Sequence, residues 1–314
     1  MPGITIIANP NARRNREWPL ASEQLRKAAP GASILETRGP EELAGVAKAV
    51  AADRPRVLAI AGGDGTVTHT VTALFNTLGN DLPPLALLGG GAYDSLAPLG
   101  GKGDAEKRLR RLSEALASGT ELRVEQRDTL RVVPDGARSS ARCGFRFGVG
   151  LPVRFIEAIY ATGNAGPLTS TRLLARAFWS SLTKGAFARK LYAPMDLRVR
   201  LDDEEWPRIE IYGLACSTVA EAGLGLRPFR RATEQPGAFH TLGLTAGPRK
   251  FAFELPRLLF GLPARRDRLL EGVGERLDLT ARAPLSWLLD GEIYSSKTGR
   301  VAVGIGPRVS LVRT

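Results

Sequence analysis

Residues 57–66 constrain the fold of this chain more than any other stretch. Five apolar residues, VLAIA, run directly into Gly62-Gly63-Asp64-Gly65-Thr66. A short apolar run that ends in a glycine turn is typical of a buried strand in a parallel sheet. Beyond the turn, apolar residues recur at helical spacing, at Val67, Val71, Leu74 and Leu78. The stretch therefore predicts a strand, a glycine turn and a helix in direct succession.

The composition of this turn suits a bound anion. Glycine has no Cβ, so the chain can turn sharply and a ligand can approach the main chain. The free amides at the start of the following helix favour a phosphate. Asp64 stands among the glycines, where its carboxylate could hold a magnesium ion or accept a proton from an attacking hydroxyl. A tight turn in which Asp64 caps the helix explains the same residues equally well.

Strand and helix patterns alternate through the first part of the chain. This alternation predicts an α/β domain with a mainly parallel sheet over residues 1–125. The predicted strands are 4–8, 32–36, 57–61 and 85–88, and helices are predicted at 20–29, 41–52 and 104–117 as well as after the glycine turn.

A second glycine turn, residues 89–95, follows the fourth predicted strand and also contains an aspartate, Asp94. The loop after the first strand, residues 11–16, carries three arginines. Loops at the carboxyl ends of parallel strands line one crevice. We therefore expect the two glycine turns to face the same cleft, and the basic loop either contacts phosphate there or is solvated.

Residues 126–299 follow a different pattern. Short segments of alternating polarity, separated by Gly, Pro and Asp, predict an antiparallel sandwich or barrel. Two helical segments interrupt this pattern, at about 167–187 and about 249–262. The last strands, within residues 300–314, are predicted to return to the first domain.

The net charge of +12 favours an anionic partner. Nucleic acid is not expected, because only 6% of the residues are aromatic and no stacking signature is present. An anionic membrane surface and a phosphorylated substrate both remain, and the alternative explanation of the charge is a GC-rich genome, which enriches a protein in arginine. No stretch approaches the ~20 apolar residues that span a bilayer, and no secretory signal is evident. The expected location is the cytoplasm, at the inner face of the membrane.

Cysteine and histidine are too sparse to indicate a metal site. Cys143 and Cys216 lie far apart and match no metal-binding spacing, so they are predicted to be free, buried thiols. His69 and His240 are equally isolated.

The helical segment near residues 249–262 combines aromatic and aliphatic residues with flanking arginines and a lysine. Such a segment is typical of a contact with an anionic membrane surface. A helix packed on the sandwich with basic flanks has the same composition, so both interpretations stay open.

Four motifs in this order resemble the diacylglycerol-kinase-type lipid kinases, a superfamily that includes sphingosine and ceramide kinases. They are the strand ending in Asn9-Pro10, the glycine signature at 62–66, the glycine turn at 89–97, and Asp290-Gly291-Glu292. NAD kinases and phosphofructokinases carry an element similar to the signature alone. The resemblance spans nearly the whole chain and implies a nucleotide-binding domain followed by a β-rich lipid-binding domain.

The resemblance implies transfer of the γ-phosphoryl group of ATP to a lipid hydroxyl, with Mg²⁺, in a cleft between the domains. Asp64 and Glu292 would be the catalytic carboxylates, and Asp64 and Asp290 would be metal ligands. The lipid substrate would be diacylglycerol-like or sphingoid-like. The implied nucleotide contacts are Asn9, Gly62, Gly63, Gly65, Thr66, Gly90, Gly91 and Asp94.

The chain departs from the family pattern at several positions. His69 stands where an acidic residue is common, and the second turn reads Gly91-Ala92-Tyr93-Asp94-Ser95 where the family usually has Gly-Thr-x-Asn. The Asp-Asp-Gly turn of bacterial members is replaced by Glu234-Gln235-Pro236-Gly237. These departures keep open a non-catalytic or weakly active homologue that binds lipid or nucleotide. A soluble NAD-kinase-like enzyme is a third hypothesis, against which the first and last motifs argue.

Overall fold

The structure, a computed structural model, divides the chain into two compact units. The first unit is Met1–Arg127 with Pro307–Thr314, and the second is Asp128–Gly306. The sequence prediction places the first boundary at 125/126 and the return at about residue 300. The described residues are 3–12, 15, 18–91, 94–101, 103–207, 209–222, 226–263, 265 and 267–313, with residues 18–20 described by their backbone alone.

A parallel sheet forms the centre of the first unit. Its strands are β1 Ile4–Ala8, β2 Ser33–Glu36, β3 Val57–Ala61, β4 Leu85–Leu87 and the end of β16 Arg300–Val312. Their order is β2-β1-β3-β4-β16, with parallel pairing throughout. Every residue of β1, β3 and β4 is buried, because a parallel sheet is covered on both faces.

Helices cover this sheet. They are α1 Trp18–Ala28, α2 Leu43–Asp53, α3 Asp64–Leu78 and α4 Ala105–Ala117, with 3₁₀ turns at Pro40–Glu42 and Ala97–Gly100. Leu25 of α1 and Leu109 and Leu112 of α4 join the strand residues in one buried cluster. The predicted α/β domain with a mainly parallel sheet is confirmed.

Antiparallel strands dominate the second unit, as predicted. One sheet has the order β12-β11-β10-β7-β14-β15, and further strands lie across a core that contains Phe147, Val199, Leu279 and Trp287. Side chains of β8 alternate between buried and exposed, which is the period expected of a strand with one face on the core. The strands are β5 Val124–Pro134, β6 Arg142–Gly144, β7 Arg146–Gly150, β8 Leu197–Leu201, β9 Glu204–Glu205, β10 Gly213–Ser217, β11 Phe239–Leu244, β12 Leu269–Gly274, β13 Arg276–Ala281, β14 Leu285–Leu289 and β15 Glu292–Ser296.

Helices in the second unit differ from the prediction in two places. The predicted helix 167–187 is interrupted by Lys184 at φ +55° and by Gly185, so two helices form. A further helix begins at Leu151, with Pro152 at a position where proline is tolerated, and the sequence analysis did not predict it. The helices are α5 Leu151–Tyr160, α6 Pro167–Leu182, α7 Ala186–Leu191 and α8 Pro248–Leu259, with a 3₁₀ turn at Arg138–Ser140.

Both cysteines, Cys143 and Cys216, are free and buried, as predicted. Burial raises the pKa of the Cys143 thiol to about 12, so this thiol stays protonated at neutral pH. Among the described residues, no helix is long and apolar enough to cross a bilayer.

Candidate functional site

The strand, glycine turn and helix predicted for residues 57–66 are present. β3 ends at Ala61, and α3 begins at Asp64 with Gly63 as its N-cap residue. Glycine has no side chain that could bond the first amides of the helix, and these amides have no partner within the helix itself. Gly63, Asp64 and Gly65 are half-buried, so this part of the main chain remains accessible from one side.

The Asp64 carboxylate bonds the second glycine turn. Its Oδ2 accepts hydrogen bonds from the Ser95 amide at 3.0 Å and from the Ser95 hydroxyl, and its Oδ1 accepts from the Leu96 amide at 3.0 Å. Asp64 is the first residue inside the helix and not the N-cap residue. Its carboxylate therefore joins two turns that are about thirty residues apart in sequence, which differs from the helix cap considered above.

The two glycine turns touch through their backbones. A Cβ atom added to Gly91 would lie 2.5 Å from Gly63 Cα, and one added to Gly63 would lie 2.9 Å from Gly91 Cα. Real Cβ atoms do not approach other atoms so closely. A side chain at either position would therefore push the two turns apart.

Asp94 closes the second turn on itself. Its φ is +46°, a left-handed conformation that aspartate and asparagine tolerate better than most residues. Its Oδ1 accepts from the amides of Gly90 at 3.0 Å and Gly91 at 2.6 Å. Because these amides already bond a carboxylate, their predicted contact with a nucleotide would require Asp94 to move, and it stays a prediction. The adjacent residues Ala92 and Tyr93 lie outside the described residues.

Two asparagines hold the ends of β1 and β3 together. Asn9 Nδ2 donates to Thr66 Oγ1 at 3.1 Å, which links two of the predicted nucleotide-binding residues. Asn15 is buried, and its Nδ2 donates to the carbonyls of Asn9 at 2.9 Å and Ala61 at 3.3 Å. The sequence analysis did not single out Asn15, since it lies within a basic loop whose Arg13, Arg14 and Arg16 are outside the described residues.

A buried arginine supports the second turn from behind, and the sequence analysis missed it. The Arg108 guanidinium donates to the carbonyls of Leu87 at 2.9 Å, Ala97 at 2.8 Å and Gly101 at 2.7 Å. Arg108 is only 6% exposed. Its position one helical turn before the buried Leu112 was the available signal, because an arginine there cannot reach solvent easily.

In the second unit, Asp290 fastens a hairpin. Asp290 and Gly291 connect β14 to β15 with φ values of +45° and +99°, as in a two-residue type I′ turn. The buried Asp290 carboxylate accepts from the amides of Phe145 at 2.8 Å and Arg146 at 3.0 Å. Binding a metal ion would require these bonds to be exchanged, so the role of Asp290 as a metal ligand stays a prediction.

Glu292 follows this turn on β15 and is half-buried. Burial raises the pKa of the Glu292 carboxyl, which makes its ionised form a better proton acceptor. Burial likewise raises the pKa of Tyr294 to about 12, and Tyr160 Oη donates to the Gly291 carbonyl at 2.8 Å. The role of Glu292 as a second catalytic carboxylate stays a prediction.

The first unit, which contains the two glycine turns, matches a known protein family. Residues 3–123 match the family model of the diacylglycerol kinase catalytic domain. No curated protein sequence matches the chain significantly.

Solved structures share the fold over the whole chain. A diacylglycerol kinase from Bacillus anthracis strain Sterne has a TM-score of 0.65 at 13% identity, covering 100% of this chain and 97% of its own. A candidate diacylglycerol kinase from the same strain has a TM-score of 0.73 at 15% identity, with the same two coverages. Yeast NADH kinase, solved with NADH, has a TM-score of 0.53 at 13% identity over 99% of this chain and 83% of its own.

These identities are low, so the structural matches establish the shared fold, and the family model matches the first unit alone. The matched range contains β1, both glycine turns, Asp64 and Arg108. The resemblance inferred from the sequence motifs is confirmed. Over residues 3–123, this chain is therefore similar to the diacylglycerol kinase catalytic domain.

Proposed function

We propose that this protein is an ATP-dependent lipid kinase that transfers the γ-phosphoryl group to a lipid hydroxyl. The observation that carries the proposal is the joint between the two glycine turns, where Asp64 bonds Ser95 and Leu96 inside a kinase-family domain. Phosphoryl transfer depends mainly on positioning and on neutralising charge. A carboxylate held rigidly beside a helix N-terminus is suited to both tasks.

The nucleotide phosphates would bind at the start of α3. The amides of Gly63, Asp64 and Gly65 belong to the first turn of this helix, where backbone donors and the helix dipole favour anions. Thr66 is buried and its hydroxyl accepts from Asn9, so it fixes the turn from the inner side. The amides of this turn are the proposed hydrogen-bond donors to the phosphate.

Asp64 would act on the acceptor hydroxyl. A general base must lie within hydrogen-bond reach of the proton that it takes, and the proton acceptor must be held in place. The bonds from Ser95 and Leu96 fix the orientation of the Asp64 carboxylate. The second proposed carboxylate, Glu292, has a raised pKa that suits the same chemistry.

Magnesium would be held mainly through the nucleotide. Among the described residues, no group of three or more His, Cys, Asp or Glu side chains could hold a metal ion. Magnesium in kinases is usually held by one or two carboxylates together with substrate phosphates. When bound, it would neutralise charge on the transferring phosphoryl group. Asp64 is the described carboxylate at the proposed phosphate site, and it is our proposed ligand.

The test is transfer of label from γ-labelled ATP to lipids of a mixed extract by the purified full chain. We expect labelled lipid only when protein, magnesium and extract are all present. NAD replaces the lipid extract in a parallel reaction. Label in NAD with none in lipid would contradict the proposal and favour an NAD-kinase-like enzyme.

Asp94→Asn should tighten ATP binding. The substitution keeps a residue that tolerates φ +46° but removes a negative charge from the second turn. Removing one like charge near a triphosphate is worth ~1 kcal/mol, or about fivefold in the dissociation constant. Calorimetry on both proteins at equal ionic strength measures the change.

A matched variant tests whether the effect on ATP binding depends on where the negative charge is removed. Asp203→Asn removes a charge from an exposed position in the second unit and should leave ATP binding unchanged. Weaker binding in Asp94→Asn alone would mean that the Asp94 carboxylate contributes directly to the nucleotide site, as the family resemblance implies.

A nucleotide-binding protein without kinase turnover is the second candidate. The observation that favours it is the bonding of Asp94 to the Gly90 and Gly91 amides, since this carboxylate occupies donors that the resemblance assigns to the nucleotide. ATP binding by calorimetry with no labelled product from any lipid class would support this candidate over the first.

A further inference from the structure

Helix α8 has two faces of different character. Phe251 and Leu258 belong to a buried hydrophobic cluster, whereas Phe253 is 61% exposed and Phe260, the C-cap residue, is 78% exposed. The composition of residues 249–262 is compatible with packing in the core and with membrane contact. The structure divides the same segment between a packed face and an exposed aromatic face.

Cations share the exposed face with these aromatic residues. Arg249, Lys250 and Arg257 are exposed, and together with Phe253 and Phe260 they recur every three to four residues. Residues at this spacing lie on one side of a helix. The exposed side of α8 therefore alternates positive charge and aromatic surface.

The one acidic residue of α8 is turned away from solvent. Glu254 is 1% exposed, and its carboxylate accepts from Arg268 at 2.7 Å. Arg257 and Arg265 also lie within 3.8 Å of it. Its arginine partners offset the charge of this carboxylate, and the exposed charged residues of α8 are cations. Arg266, another cation of the sequence near this helix, lies outside the described residues.

Helix α6 repeats this composition next to α8. Ala177 of α6 belongs to the same buried cluster as Phe251 and Leu258. On the solvent side of α6, Leu168 is 63% exposed and Trp179 is 65% exposed. Arg172 lies between them in sequence and is exposed as well.

We propose that the exposed faces of α6 and α8 bind the surface of a bilayer that contains anionic phospholipids. The interfacial surface consists of Trp179, Arg249, Lys250, Phe253, Arg257 and Phe260.

The combination of aromatic residues and cations on this surface favours an anionic bilayer over a nucleic acid as its partner. Tryptophan and phenylalanine side chains insert into the boundary between headgroups and acyl chains, and cations pair with anionic headgroups. A nucleic acid would satisfy the cations but would leave the isolated apolar side chains of both helices in water. An anionic bilayer satisfies both features at once.

The inference extends the proposed function, because a lipid kinase must reach a substrate that resides in a membrane. It is tested without ATP and on vesicles of phosphatidylcholine and phosphatidylglycerol, neither of which is offered as a phosphoryl acceptor. Failure of kinase activity and failure of membrane binding are therefore distinguishable.

The experiment is co-sedimentation of the full chain with vesicles of phosphatidylcholine alone or mixed with phosphatidylglycerol. We expect binding that rises with phosphatidylglycerol content and falls as salt is added, since screening weakens exposed charges. Arg249→Gln with Lys250→Gln should weaken binding about fivefold per charge removed. Phe253→Ala with Phe260→Ala should weaken it at least tenfold, because two exposed aromatic groups lose their insertion.

Matched controls carry the same substitutions elsewhere in the second unit. Arg200→Gln with Arg276→Gln removes two exposed cations outside α6 and α8, and Ile209→Ala removes an exposed apolar side chain. Both controls should bind like the unmodified protein. Circular dichroism confirms that each variant is folded before binding is compared.

Tryptophan fluorescence gives a second readout. Trp179 is exposed, whereas Trp206 and Trp287 are buried, so insertion should shift Trp179 emission to shorter wavelength on anionic vesicles. The shift should disappear in Trp179→Phe. No binding to either vesicle type, or binding equally weakened by the controls, would overturn the proposal. Retention on RNA without vesicle binding would identify a polyanion site instead and would overturn it too.

Discussion

Asp64→Asn is expected to lower phosphoryl transfer to lipid by about 10²–10⁴-fold, the range typical of losing a general base. The substitution keeps the size of the side chain and an oxygen that can accept from the Leu96 amide. It removes the charge and places an amide group next to donors of Ser95. Both proton transfer and any contact with magnesium should therefore be lost.

Ser95→Ala is the control that distinguishes a catalytic role of Asp64 from a purely structural one. It removes the hydroxyl that donates to Asp64 but leaves the carboxylate and the bonds from the Ser95 and Leu96 amides in place. If Asp64 is the base, Ser95→Ala should lose about tenfold or less, whereas Asp64→Asn loses far more. The labelled-ATP assay measures both variants, and calorimetry checks that each still binds ATP.

Equal activities of Asp64→Asn and the unmodified protein would remove Asp64 from the reaction. Equal losses in Asp64→Asn and Ser95→Ala would show that the carboxylate mainly fastens the two turns. The second result would favour the nucleotide-binding alternative, because catalysis would then lack its proposed base.

Arg108→Met is expected to lower the free energy of unfolding of the first unit by about 3 kcal/mol. The substitution leaves three buried carbonyls, those of Leu87, Ala97 and Gly101, without their charged donor. Each unpaired buried acceptor costs about 1–3 kcal/mol, and relaxation recovers part of the total. The loss should be concentrated where α4 meets the 3₁₀ turn that follows the second glycine turn.

Arg110→Met is the matched control on the same helix. Arg110 is exposed and pairs with Glu106 one helical turn away, an arrangement worth about 0.5 kcal/mol or less. Urea unfolding measures both variants. If the two variants lose the same stability, the buried bonds of Arg108 contribute no more than a surface pair.

The sequence predicted the first unit well because its signals are local. Buried strands are nearly continuous apolar runs, and each helix carries its own period, so β1, β3 and α3 can be recognised without knowledge of their neighbours. The glycine signature worked for the same reason. The backbones of Gly63 and Gly91 are in contact and leave no room for a Cβ atom at either position. This requirement appears in the sequence directly, as glycine.

Side-chain partners across long sequence separations could not be predicted. The bonds from Ser95 and Leu96 to Asp64 depend on how two strands are ordered in the sheet, which no local pattern records. The same is true of Arg108, whose three acceptors lie at the end of β4 and on the 3₁₀ turn that follows the second glycine turn. Asp94 resembled a phosphate-site residue in sequence, while its carboxylate bonds its own turn.

Helix α8 illustrates a different limit. Its composition suited both a core helix and a membrane contact, and in the structure one face is buried in the core while the other is exposed. Phe251 is buried and Phe253 is exposed, because residues two positions apart lie on different sides of a helix. The composition of the segment does not show which residues share a side of the helix, whereas the spacing of its buried and exposed residues does.

The position of β16 has a consequence for how this protein is made. β4 pairs with β3 on one side and with the end of β16, through Leu311, on the other. A ribosome synthesises the whole second unit before it reaches that strand, so β4 spends this time as an unprotected sheet edge. Open edges invite pairing with other chains, and closing them across such a separation is slow. The nascent protein should therefore depend on chaperones until the end of β16 emerges.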